Sequence, residues 1–265
     1  MSKYYNAQRN QRVYIPGSNQ PFKLSRSKID AFVKCPRCFY IDVRLGTSQP
    51  PGYPFTLNVA VDELLKKEFD LHRAKKIAHP MMQTYGIDAI PYEHKDLDKW
   101  RANFTGVQYL HEPTKFLITG AVDDVWVNPQ GELIVVDYKA TSKASAPSLE
   151  GDLGAQYIRQ MEVYQWLLKN NGFKVSSRGY FVYLNGKKDA AAFDGKLEFD
   201  VSILPADGET AWIEPTLEKI KATLENNKIP TWHEECDYCA YYRARGKHEA
   251  EVSSKKPPKA NGALF

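Results

Sequence analysis

The chain has 265 residues, enough for one large domain or two small ones, and its 43% hydrophobic and 26% charged residues are ordinary for a globular protein. No uninterrupted apolar stretch is long enough to span a membrane, and the polar start "MSKYYNAQRNQRVYIPGSNQ" has no signal-peptide core; a cytoplasmic protein without a membrane partner is expected. The net charge of +4 is compatible with a polyanionic partner but does not demand one.

Residues 1–23 read as a polar, flexible lead-in, 24–250 as one domain, and 251–265 as a disordered basic tail with three lysines, two prolines and no acid after residue 252. Within the domain, "LSRSKIDAFVKC" predicts a helix capped by Ser25 or Ser27, with Ile29, Phe32 and Val33 at helical spacing. After the loop "TSQPPGYP", "FTLNVAVDELLKKEFDLHRAKK" predicts an amphipathic helix with Leu57, Val61, Leu64, Leu65 and Phe69 on one side. A less regular stretch runs to about residue 105. "FLITGAVDDVWV" and "ELIVVDYKA" then read as two strands of an antiparallel hairpin turning at "NPQG". "GAQYIRQMEVYQWLLKNNG" predicts a helix stopped at Gly172. "RGYFVYLN" and "LEFDVSIL" read as strands, and "AWIEPTLEKIKATLENNK" as a helix with Pro215 in its first turn. The expected class is α/β, a mixed sheet flanked by helices.

The four cysteines form two pairs, Cys35 and Cys38 in "CPRC" and Cys236 and Cys239 in "CDYC". Two C-x-x-C knuckles without a secretion signal suggest metal rather than disulfides, and bring the two ends of the chain together.

The hairpin carries the chemistry. Asp123 and Asp124 lie on its first strand, Asp137 and Lys139 on its second. Counting back from the turn places Asp123 and Asp137 within a residue or two of register. Facing carboxylates repel unless a cation sits between them, and hard oxygen ligands suit Mg²⁺ or Mn²⁺. With a lysine beside them this is an arrangement for metal-assisted phosphodiester hydrolysis. Asp124 points to the other strand face and reads as a solvent-facing or supporting acid.

"GAVDD" followed by "VVDYK" and "QMEVY" resembles the RecB-like form of the PD-(D/E)XK nuclease signature, with its restriction-endonuclease-like core. The resemblance implies that Asp123 and Asp137 bind divalent metal, that the carbonyl of Tyr138 is a further ligand, that Lys139 assists the attacking water, and that Gln160 and Tyr164 lie beside the substrate. The family's G-x-x-x-H-E helix corresponds here to "NVAVDE", with Asn58 for Gly and Asp62 for the metal-binding His; Glu63 is the neighbouring candidate. "CPRCFY" resembles the cysteine segment of the AddB and CRISPR-adaptation types, which join their chain ends with a four-iron four-sulfur cluster held by one N-terminal and three C-terminal cysteines. The two-and-two split here departs from that pattern and suits a tetrahedral Cys₄ zinc site as well. Arg243 and Arg245 in "YYRARGK" are candidate DNA contacts, and the terminal "NGALF" resembles peptides that dock on the bacterial sliding clamp.

The resemblance implies a Mg²⁺- or Mn²⁺-dependent deoxyribonuclease, an exonuclease on DNA ends or single strands in repair, recombination or defence. A non-catalytic nucleic-acid-binding scaffold and an RNA-directed nuclease are the alternatives. No G-x-x-x-x-G-K-[ST] loop is present, so unwinding would need a helicase partner.

Overall fold

The computed structural model of the protein describes residues 13–50, 52 and 56–254. In chain order its elements are β1 (Phe22–Ser25), α1 (Arg26–Lys34), α2 (Pro36–Val43), α3 (Thr56–Lys75), α4 (Pro80–Thr84), β2 (Ile90–Pro91), α5 (Leu97–Arg101), β3 (Val107–His111), β4 (Phe116–Gly120) and β5 (Asp124–Val127). They continue with β6 (Leu133–Thr141), α6 (Gly151–Asn170), β7 (Arg178–Gly186), β8 (Phe199–Asp207), α7 (Ile213–Glu225) and α8 (Asp237–Ser254). Mixed sheets flanked by helices result, as the sequence predicts.

The larger sheet has the order β2-β5-β6-β7-β8 and is antiparallel except between β6 and β7. That parallel pair needs a crossover, and α6 supplies it. β6 is the central strand and is buried from Leu133 to Tyr138, which is why its sequence reads as a continuous apolar run rather than an alternation. The smaller sheet has the order β1-β4-β3. α6 touches β3 and β4 as well as β6, so it lies between the sheets, and every residue from Met161 to Leu168 is buried. On the other face of the larger sheet, Val61, Leu65 and Phe69 of α3 pack with Trp126, Ile134 and Val136. The central strand is thus covered on both faces, and its Asp137 end opens between α3 and α6.

Several expectations are corrected. "FLITGAVDDVWV" is not one strand: β4 ends at Gly120 in the smaller sheet, and β5 begins at Asp124 in the larger one. The chain changes sheets in the three residues between. Leu57 and Leu64 are exposed, and Arg73 takes part in the buried face of α3 instead. Val33 is also exposed while Ile29 and Phe32 are buried. The described part of the lead-in is not loose: Tyr14 is buried against Phe22 and Phe116, and β1 pairs with β4. Residues 251–254 continue α8 rather than opening the tail. The "NGALF" segment lies outside the described residues. Ser25 occupies the N-cap position of α1, but its hydroxyl lies 2.9 Å from that of Ser27 and makes no capping bond to the helix; Pro215 falls in the first turn of α7, and Gly172 follows α6 in the left-handed region with a φ of 87°.

Gly120 is glycine for a packing reason. A Cβ there would lie 2.7 Å from Cε1 of Tyr164, a ring held inside α6. Gly120→Ala is therefore expected to destabilise the fold by about 1–3 kcal/mol through overpacking, read as a lowered midpoint in urea unfolding. An unchanged midpoint would refute the close approach.

Candidate active site

The change of sheet after Gly120 creates the site. Asp123 sits at the bend, one residue before β5, and the register Asp124 with Val136 places it beside Asp137. One carboxylate oxygen of Asp123 accepts the Tyr138 amide at 2.9 Å. Successive side chains point opposite ways here, so the two adjacent aspartates separate. Asp123 turns into a cleft of about 620 Å³, while Asp124 turns inward and is fully buried.

Of the two readings of Asp124, the solvent-facing one is thereby excluded and the supporting one holds. Its carboxylate pairs with Arg73 of α3 and with Arg101 of α5 at 2.9 Å, and accepts the Tyr138 hydroxyl at 2.9 Å. Arg101 also donates to the carbonyl of Asp123 at 3.1 Å, and Asp70 bridges both arginines from the α3 surface. A charge this deep persists because two guanidinium groups face it and both carboxylate oxygens accept hydrogen bonds.

Asp137 ends the apolar run of β6 with its side chain wholly buried, and the helix between the sheets meets it. Gln160 donates to Asp137 Oδ1 at 2.7 Å and lies 3.0 Å from the Tyr164 hydroxyl; its own oxygen accepts from Lys139 at 3.4 Å. Lys139 also pairs with Asp137 and stands 4.3 Å over the Tyr157 ring. Gln160 therefore fixes the acid and the lysine together. Tyr164 is buried, so it reaches the cleft only through Gln160.

Asp62, from α3, lines the same cleft and pairs with Lys66 at 2.6 Å; Lys66 stands 3.8 Å from Asp123. Glu63 is exposed and does not line the cleft. Asn58, standing where the resemblance has Gly, donates to the Ala140 carbonyl at 2.8 Å and ties α3 to the end of β6. Arg243 and Arg245 are exposed on α8; neither lines the cleft, and Arg245 pairs with Glu249 at 2.7 Å.

Three residues at or beside the cleft escaped the sequence reading: Tyr157 and Arg26 line it, and Lys66 pairs with two of its acids. Lys66 follows Asp62 by four positions and Tyr157 precedes Gln160 by three, helical spacings that would have placed both on the right faces. Arg26 had no such signal: it opens α1 and reaches the cleft only because α1 packs on α6. Among the described residues no hydrogen bond or ion pair holds its guanidinium.

The acids suit a divalent cation. Burial, then the negative charge of Asp137, raises the Asp123 carboxyl to about 7, against partial relief from Lys66, Lys139 and the Tyr138 amide. Asp62 is raised by burial and then by Asp123. A cation bound among these oxygens would remove the like-charge penalty.

At the other end of α1 the four cysteine sulfurs lie within 4.8 Å of one another. The first knuckle joins α1 to α2, and the second opens α8. The expected meeting of the chain's two cysteine pairs is therefore observed.

A scan against protein families matches residues 56–244, well over half the chain, to the PD-(D/E)XK nuclease superfamily. The chain belongs to this superfamily. No curated protein matches it. Among solved structures it is similar to one described as the crystal structure of SSO0001, at 15% identity and a TM-score of 0.35, covering 87% of each chain. Members of the superfamily are generally hydrolytic nucleases, and their fold implies a divalent metal. No helix among the described residues is long and apolar enough to cross a membrane.

Two predictions test this nuclease-fold site. Asp124→Asn is expected to cost about 3 kcal/mol or more in urea unfolding, because Arg73 and Arg101 keep only the half-exposed Asp70 as counter-charge. A loss below about 1 kcal/mol would show that the network does not hold the bend. The raised Asp123 carboxyl also sets a pH dependence. The folded state binds a proton there that the unfolded chain has released, so without metal this group's contribution falls as pH rises from its unfolded value towards 7. A cation competes with that proton, so Mn²⁺ affinity measured by calorimetry should rise through pH 7 and level off above it; a flat profile across that range would contradict the assignment.

Proposed function

We propose that this PD-(D/E)XK protein is a Mg²⁺- or Mn²⁺-dependent DNA nuclease of the RecB-like kind, acting on DNA ends or single strands in repair, recombination or defence. The observation that carries the reading is the convergence of Asp123, Lys139 and Gln160 at one cleft, with the buried Asp137 bonded to Gln160 and Lys139 directly behind them, within the segment matched to the superfamily. The net charge of +4 is in keeping with a polyanionic substrate.

In this reading Asp123, Asp137, Asp62 and the Tyr138 carbonyl are the ligands available to the metal. When bound, the metal supplies Lewis-acid polarisation of the phosphodiester and favours ionisation of an attacking water. Lys139 holds a hydrogen bond towards that water or towards the developing phosphorane charge. Gln160 keeps Lys139 and Asp137 in place, and Tyr164 fixes the Gln160 amide from behind. Arg26, uncompensated at the mouth of the cleft, holds a substrate phosphate. Arg243 and Arg245 extend the basic surface along α8 for the same strand. A helicase partner would supply single strands, and the terminal "NGALF" would engage a sliding clamp.

The test compares wild type with Lys139→Ala and Arg26→Ala on end-labelled single- and double-stranded DNA, with an RNA competitor, in Mg²⁺, Mn²⁺ or EDTA. Metal-dependent cleavage by wild type is expected, with Lys139→Ala slower by roughly 10²–10³. Arg26→Ala should mainly raise KM and reduce the slope of log affinity against log salt by about 0.7, the share of one phosphate contact on a single strand. DNA binding without cleavage by wild type would favour the scaffold reading, and preferential loss of DNA cleavage to RNA competitor the RNA-directed one.

A further inference from the structure

The cysteine sulfurs are too close together for the cluster that the RecB-like resemblance implies. Cys35 and Cys239 are 3.6 Å apart, Cys38 and Cys236 3.7 Å, and Cys38 and Cys239 3.8 Å. In a four-iron four-sulfur cluster each thiolate caps a different iron, so the body of the cube stands between the sulfurs. Sulfurs in van der Waals contact leave no room for it. Around one zinc the Zn–S distance of about 2.3 Å fixes the tetrahedron edge at about 3.8 Å, which the three spacings match. The knuckle geometry agrees: the Cys38 amide donates to Cys35 Sγ at 3.4 Å, and the Cys239 amide likewise faces Cys236. Each pair thus turns two sulfurs towards one point.

We propose that Cys35, Cys38, Cys236 and Cys239 hold a single tetrahedral zinc ion, and that this ion fastens α8 to the α1–α2 end of the domain. The second half follows from what else holds α8. Of its eighteen residues only Cys239 is buried, and Tyr238, Tyr241 and Tyr242 are all exposed. A helix with no apolar face cannot be held by the hydrophobic effect. Around the knuckle the remaining ties among the described residues are the Arg37 guanidinium, stacked 3.6 Å over Trp232 and bonded to the Pro230 carbonyl, and the Trp232–Tyr242 ring pair. Binding one ion to four thiolates brings together residues about two hundred positions apart, and its binding free energy is then the docking free energy of the helix. Zinc fits such a role because it has no redox chemistry and four thiolates close its coordination.

The deciding experiment is metal and sulfide analysis of full-length protein produced in iron-supplemented medium and purified without oxygen, so that a cluster would survive. About one zinc per chain is expected, with no acid-labile sulfide and no visible absorption. Iron accompanied by labile sulfide would overturn the proposal, as would metal-free protein with its cysteines joined in disulfides. A second readout tests the fastening. Under reducing conditions, a strong zinc chelator should speed tryptic cutting at Arg243, Arg245 and Lys247 roughly tenfold or more, while the core remains folded by tryptophan fluorescence. Unchanged cutting after verified zinc loss would overturn the docking role. Neither readout is cleavage of nucleic acid, so the outcome is independent of the proposed nuclease activity.

Discussion

A buried carboxylate holds the geometry of the site. Asp124 receives two guanidinium groups from α3 and α5 and one hydroxyl from β6, and so ties three elements to the first residue of β5. The residue before it is Asp123, whose direction is set by this anchorage and by the Tyr138 amide. Had the bend after Gly120 been free, two neighbouring carboxylates would relax apart by repulsion. The fold instead spends the strongest interactions available in a low-dielectric interior on keeping Asp123 and Asp137 together. Arg73 and Arg101 neutralise Asp124, Lys139 neutralises Asp137, and Lys66 is shared between Asp62 and Asp123. Asp123 has the weakest compensation of the three inner acids, and it is the one that faces the cleft.

Much of this was written in short sequence spacings. The apolar run ending in "VVDYK" located β6 because a strand covered on both faces has no alternation to hide it. The i and i+4 spacing of Gln160 and Tyr164 placed both on one face of α6, and the hydrogen bond between them follows. The hairpin register was legible because "NPQG" is short. What could not be read depended on contacts distant in sequence. In "FLITGAVDDVWV" the weak strand formers Gly120, Asp123 and Asp124 interrupt the run, but nothing in them says that the chain changes sheets there. Leu57 and Leu64 look like core on a helical wheel, but the sheet beneath α3 covers a narrower stripe centred on Val61, Leu65 and Phe69, with Arg73 reaching inward to Asp124. Arg26 is a lone cation before a helix until α1 is laid on α6.

The same helix α1 links the cleft to the cysteines. Its first residue lines the cleft, and its last turn leads into Cys35. Along its length it is held to α6 by Asp30, which accepts from Arg159 at 2.9 Å, and by Lys34, which bonds Gln156. Arg159 adjoins Gln160, so the face of α6 that steadies Asp137 and Lys139 is flanked by the ties to α1. Any displacement of α1 would move Arg26 and strain the seat of Gln160 together.

The position of the cysteines then acquires a reason beyond closing the chain. α1 is a helix of nine residues, too short to be stable alone, and its C-terminal end is where fraying would begin. Cys35 is both the residue that ends α1 and the N-cap of α2, with its sulfur accepting the Cys38 amide. A metal clamping that sulfur to the second cysteine pair, as proposed, would fix the junction of the two helices at its weakest point. Hydrophobic burial already secures the middle of α1 through Ile29 and Phe32. Under the proposed reading, the cation at its first residue needs the whole helix to behave as one rigid body, and the metal proposed at the cysteines would supply that rigidity without adding any bulk to the cleft.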